Sequence, residues 1–428
     1  MTSQWQWVLR QLSRQMWVRV SIFSLAAVLS ALAGVFLARY VPSGLADAIG
    51  SDSIDDILQI LATSMLAVTT FSLTTMVSAY SAATNSVTPR AAKLLMDDTT
   101  AQNALGTFIG SFVFSLVGIV ALSTGAYGEQ GRVILFVATV AVIVLIVVTM
   151  LRWIDYLSRL GRVGETTDRV ERATLEALEV RMRKPGLGGR VLDRGDDVPA
   201  GARPVFARSI GYVQHVDIGA LSDVAEDAKG DVFVSAPPGI FANNLRPVAH
   251  VSGGFDEKGL DAVRNAFTVA SERSFEQDPR FGLSVLSEVA SRALSPAVND
   301  PGTAIDVLGR GERILCAWAE AGRAGGEGAV EVDCPRVWMP ALSADDMLDD
   351  VFAPIARDGA GMLEVQLKLQ KVLGALAASG DPAVATAARR HAGLALARAG
   401  SVLAMDHERQ RLRELAAGMG LMEGGTAP

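Results

Sequence analysis

The sequence predicts an α-helical integral membrane protein with four transmembrane helices, plus a cytoplasmic α+β domain in which a small β unit is followed by a mostly helical region. Three observations carry this. The 428 residues are 50% hydrophobic and 20% charged, with a mean hydropathy of +0.30, more apolar than an ordinary soluble domain. Four long stretches without any charge precede Arg152. Beyond Arg159 the chain turns polar, with the Gly, Pro and charge density of water-exposed protein.

The charge-free stretches lie between Arg19 and Arg39, Asp56 and Arg90, Asp98 and Glu129, and Arg132 and Arg152. Each supplies the roughly 20 apolar residues that cross a bilayer as a helix. The first has no small-residue cleavage site behind it, so it reads as a retained anchor. Arg10, Arg14 and Arg19 precede the first span, Arg90 and Lys93 lie in the second loop, and Arg152, Arg159 and Arg162 follow the fourth. The positive-inside rule then puts both termini in the cytoplasm.

Composition narrows the function. A net charge of −7 and a pI near 5.3 exclude nucleic acid as the main partner, since phosphate binding needs a basic footprint. Two cysteines make no disulfide framework, and the four histidines, at 215, 250, 391 and 407, are scattered. No metal, cofactor or catalytic residue set is visible, so an enzyme is not expected.

Gly106 and Gly110 form a GxxxG in the third span, and Ala27/Ala31 and Ser30/Gly34 repeat small residues four apart in the first. Such spacing allows close helix approach, within one chain or between copies. In the second span Thr63, Thr70, Thr74, Ser78 and Ser81 fall on one helical face. They are candidates to line a water-filled path in a homo-oligomer, with Asp52, Asp55 and Asp56 at its outer mouth; alternatively the hydroxyls bond back to the preceding turn. No ionisable residue interrupts a span, which argues against a proton relay.

The chain divides at 1–160 (membrane domain), 161–203 (connecting helix and linker), 204–254 (β unit) and 255–428 (mostly helical). Alternation at Ile210, Tyr212, Gln214 and Val216, and again at Val232 and Val234, predicts strands. The pattern from Gly239 through Phe241, Asn244 and Pro247 to Val251 suggests half of a barrel-sandwich, with Asn244 in a left-handed turn. Leu260, Val263, Phe267 and Val269 are assigned to one helix, followed by helices over 281–294 and 304–321, a strand in VEVDCPRVWMP, and helices near 343–357, 361–378, 382–399 and 401–418.

SERSFEQDPRFGLSVLSEVASRALSPAVNDPGTA, residues 271–304, concentrates polar residues around two turns. Ser295 or Asn299-Asp300 can cap the next helix, with Pro301 at its first position. An Arg292–Asp300 or Arg273–Asp278 pair would brace it. The same groups, with Thr303, could instead form an interaction or ligand site.

The chain resembles the bacterial predicted membrane proteins grouped as the domain-of-unknown-function family numbered 2254. The resemblance rests on SAYSAATNSVTPRAAKLLMDDTTAQNALGTFIGSFVFSL, on GYVQHVD with PPGIF, and on RSFEQDPRFGL with ALSPAVNDPGTA. Matching positions include Arg90, Asp98, Gln102, Arg273, Gln277, Asp278, Arg292, Ser295, Asn299, Asp300 and Thr303; PPGIF departs in lacking an acidic residue after its glycine. The resemblance implies four spans and a large soluble C-terminal part, and no activity. Two functions follow as expectations: an oligomeric channel with a cytoplasmic gating or assembly domain, or a membrane-anchored sensor or scaffold. Its partners would be the lipid bilayer, further copies of the chain, and a small ion or cytoplasmic ligand.

Overall fold

The computed structural model describes residues 15–37, 51–96, 98–192, 198–325 and 332–421. The chain forms two compact units, Trp7–Thr166 and, from Thr167 onward, the remainder.

Among the described residues the first unit is helical: α1 (Met16–Leu37), α2 (Ser51–Ser86), α3 (Pro89–Met96), α4 (Thr99–Ser123) and α5 (Glu129–Arg159). All but α3 are long and apolar enough to cross a membrane. Asp98 caps α4, accepting from the Thr100 amide at 2.6 Å. The central helix is α4, which packs against α1, α2 and α5. Its small residues permit this. The Phe23 ring of α1 lies over Gly106, where a Cβ would come within 2.8 Å of it, and at Gly110 a Cβ would stand 3.2 Å from the Phe23 carbonyl oxygen. The GxxxG therefore serves packing inside the chain. Thr107, Ser111 and Ser115 are buried on the same helix, each donating to the carbonyl four residues back.

Gly110→Leu should accordingly push α1 from α4, because the obstructing atoms are backbone. The expected loss is about 1–3 kcal/mol, the range for overpacking. Thermal unfolding of the detergent-purified chain measures it, and an unchanged midpoint would contradict the packing.

The second unit contains helix α6 (Val163–Arg183) from Thr167 onward and two sheets. One has the order β1-β8-β4-β6-β2, from Gly189–Leu192, Cys334–Pro340, Asp231–Val234, Ala249–Ser252 and Arg203–Val205. In it β1 and β4 run parallel to β8, while β6 runs antiparallel to β4 and β2. The other is antiparallel, β5-β3-β7, from Phe241–Ala242, Gly211–Val216 and Phe267–Ala270. Helices α7 (Ile218–Asp227) and α8 (Glu257–Asn265) complete this part, whose core joins Val213, Val216, Leu221, Val232, Val251 and Val263. The helical part has α9 (Pro279–Ala293), α10 (Pro301–Gly325), α11 (Ala344–Asp358), α12 (Leu363–Ala377), α13 (Pro382–Val402) and α14 (Asp406–Gly418).

Three local expectations change. The β unit is not confined to 204–254, because β1, β7 and β8 come from outside it and complete its sheets, and β7 and β8 also share its core. No barrel-sandwich half forms: Asn243, rather than Asn244, makes the turn, its side chain accepting from the Leu245 and Arg246 amides. Asn244 is not among the residues with positive φ. The helix expected through Val269 ends at Asn265, and Phe267–Ala270 is a strand paired with β3.

His215 on β3 and His391 on α13 are both buried, and burial pushes each below the ordinary 6.5. Asp217 opposes the shift at His215; at His391, Arg390 reinforces it and Asp349, with an oxygen 3.0 Å from Nε2, opposes it. Both stay neutral in the fold while the unfolded chain gains protons. Their stabilisation is thus present above pH 6.5 and lost as pH falls from 6.5 through the lower folded values. Melting temperature should drop over that window, and His391→Gln should make the drop shallower.

Candidate functional site

Two sets of residues stand out, one in each unit. On α2 the inner face is mostly apolar: Ile54, Leu58, Ala62, Met65, Met76 and Ala83 are buried there, together with the hydroxyl of Ser72. Thr63, Thr70, Thr74, Ser78 and Ser81 are all exposed. At 3.6 residues per turn they lie roughly 160° around the helix from the buried face. The stripe is therefore turned away from the chain's own bundle and lines no path within a single copy. It is flanked by exposed Leu66, Phe71, Leu73 and Val77. Thr63, Thr70 and Thr74 donate to the carbonyls of Gln59, Leu66 and Thr70, each at 2.9 Å. With the O–H directed inward, each oxygen still has lone pairs to accept with.

Of the acids beyond the stripe, Asp56 is exposed and lies on its face, while half-buried Asp55 sits to one side and accepts from Gln59 Nε2 at 2.9 Å. Asp52 belongs to the first turn of α2, and its side chain lies outside the described residues. Arg90 is exposed on α3, and Asp98 is the α4 cap.

In the second unit the polar motif separates into two places. Asp278 is 3% exposed and gathers three segments. Its oxygens accept from Arg273 Nε and Nη2 at 2.8 and 3.0 Å, and from the Phe281 amide at 3.1 Å, capping α9. Gly239 of the PPGIF turn, at φ +95°, lies against it so closely that a Cβ would stand 2.3 Å from Oδ2. Burial nonetheless raises the Asp278 carboxyl above its ordinary range, with Arg273 opposing. Next to it Gln277 Oε1 accepts from the Val216 amide at 3.0 Å, tying the motif to GYVQHVD.

The other half, Ser295–Asp300, is an exposed loop apart from half-buried Ser295. Asp300 is the cap of α10, accepting from the Thr303 amide at 3.1 Å and from Thr303 Oγ1 at 2.5 Å. These bonds hold its carboxyl below the ordinary range. Ser295 donates to the Arg292 carbonyl at 2.7 Å, and Asn299 sits at φ +51°. Neither caps the helix, and Arg292 is exposed with no ion pair to Asp300. Of the two pairs expected, only Arg273–Asp278 forms. Among the described residues no group of three His, Cys, Asp or Glu comes together as metal ligands.

Sequence reasoning missed Arg181, buried on α6, and the network in which Arg310 pairs with Asp168, Glu171 and Asp306 while Arg313 pairs with the same Glu171. Asp306 is a neighbour four residues back on α10, but Asp168 and Glu171 lie on α6, more than a hundred residues from Arg310 and Arg313, and no local pattern marks that pairing.

A helical unit with four spans of membrane-crossing length, followed in sequence by an α+β unit, defines the class as a multi-span membrane-type protein. The chain matches the family described as "Predicted membrane protein (DUF2254)" over residues 13–375 and belongs to that family. It is similar, at 31% identity over 222 residues, to an uncharacterised protein of Mycobacterium bovis and to one of Mycobacterium tuberculosis strain H37Rv. Those matches cover 46% of this chain and 41% of each relative, so the chain spans less than half the length of the curated relatives it matches. No solved structure matches it.

Proposed function

We propose that the protein forms an oligomeric channel or pore-like assembly in the bacterial inner membrane, with both termini in the cytoplasm and the second unit as a gating or assembly domain. The observation carrying this reading is the outward hydroxyl face of α2. A helix face meeting only lipid gains nothing from five hydroxyl residues, whereas copies of α2 around an axis would turn them to water. The 36 residues of α2 rise about 54 Å, well beyond a hydrocarbon core of ~30 Å. Its first turns, with Asp56, then stand in the outer headgroup region. Acceptor oxygens and an acidic mouth favour cations. The reading assigns no enzymatic role.

Reconstitution into liposomes tests it, by cation flux together with cross-linking of cysteines placed at Leu66 or Val77. Flux and cross-linked multimers are expected. A monomer that passes no ions would replace this reading with that of a membrane-anchored scaffold.

A further inference from the structure

The second unit holds a cavity of about 280 Å³ between the end of α6, the C-terminal third of α10 and the loop after β8. Its walls include Met182, Pro185, Trp318 and Leu342, all half-buried. Arg181, 4% exposed, is the one cation lining it among the described residues, and Asp381, the cap of α13, lies at its edge.

Arg181 is not saturated by its surroundings. One guanidinium nitrogen donates to the Pro340 carbonyl at 2.8 Å, while buried Nε has no partner among the described residues. Asp278 is near enough to act on Arg181 by charge, yet its oxygens are occupied by Arg273 and the α9 backbone. Burial outweighs that attraction and draws the Arg181 guanidinium down to about 10. An arginine that served only to brace α6 would have its donors filled, because a buried unsatisfied donor is destabilising. Here a cation short of partners lines an otherwise mostly apolar cavity.

We propose that this cavity binds a small organic monocarboxylate, its carboxylate against Arg181 and its apolar body against Trp318 and Leu342. The volume admits about ten non-hydrogen atoms, given that a water molecule takes ≈ 30 Å³. A single cation, already acted on by the charge of Asp278 and with the Asp381 carboxylate at the cavity's edge, suits one negative charge and opposes two. The site is independent of ion conduction; if the channel reading holds, it gives the second unit a ligand to sense.

Titration calorimetry on the full-length detergent-purified chain tests this with three probes of similar size: phenylacetate, neutral phenylacetamide and dianionic phenyl phosphate. Phenylacetate should bind with a dissociation constant below about 1 mM, and phenylacetamide at least about tenfold more weakly. Arg181→Gln should abolish the preference for the acid. Because that substitution alters a buried site, Ala321→Phe and Ala341→Phe provide second variants that fill the cavity and leave Arg181 in place. Both should lose phenylacetate binding while keeping the wild-type melting temperature. The proposal is overturned if phenylacetate fails to bind the wild-type chain, if acid and amide bind alike, if phenyl phosphate binds more tightly, or if a folded filled-cavity variant still binds.

Discussion

Asp278→Ala is expected to destabilise the second unit by about 3–5 kcal/mol, the range for removing one partner of a buried ion pair. Three losses coincide. Arg273 is left without its two carboxylate bonds, α9 loses its cap, and Arg181 loses the nearby charge that partly offsets its burial. Asp278→Asn keeps a cap acceptor and the shape, and should cost less. Gly239→Ala attacks the same junction from the other side, since its Cβ would meet Oδ2 at 2.3 Å and its φ is +95°. The two changes should therefore not add. With Asp278 truncated, the obstruction at Gly239 disappears and only the backbone strain of about 1 kcal/mol remains. Chemical unfolding of both single variants and the double variant, read in one cycle, checks this coupling. Strict additivity would mean that PPGIF and EQDP do not bear on one another.

How much of this junction is legible in the sequence depends on distance along the chain. PPGIF and EQDP were both visible as motifs, and Asp278 could be assigned to a pair with Arg273 from five-residue proximity. That a glycine 39 positions earlier packs against the same carboxylate has no local signature. The four spans were legible because an uninterrupted apolar run is a property of consecutive residues. So was the face shared by Thr63, Thr70 and Thr74, since helical period alone fixes it. Which way that face turns depends on Leu58, Met65 and Met76 packing inward, a tertiary fact. The strand β1 was hidden for the same reason: GRVL sits in a Gly-rich, polar stretch, and its partner β8 lies more than 140 residues onward. At Phe267 the period misled. Its spacing from Val263 continues a helical stripe, yet Phe267–Ala270 completes the edge of the smaller sheet beside β3.

The outward direction of the stripe makes its largest consequence separable from folding. Thr70→Leu with Thr74→Leu removes two acceptors from a face that is exposed among the described residues, so stability should move by less than ~0.5 kcal/mol. If α2 lines a path between copies, the same double substitution places apolar groups where ions must shed water, and cation flux should fall at least about tenfold. Cysteine at Thr70 or Thr74 should react with a water-soluble thiol reagent and block flux, while cysteine at Leu66 or Leu73, off the stripe, should react more slowly. Asp56→Lys should leave assembly intact and reverse the ion preference, since it inverts the charge at the mouth while leaving the stripe unchanged. Lipid-facing hydroxyls predict the opposite set: equal, slow labelling at all four positions, and flux that ignores both substitutions. That result would dismiss the pore and leave the hydroxyl face without a transport role.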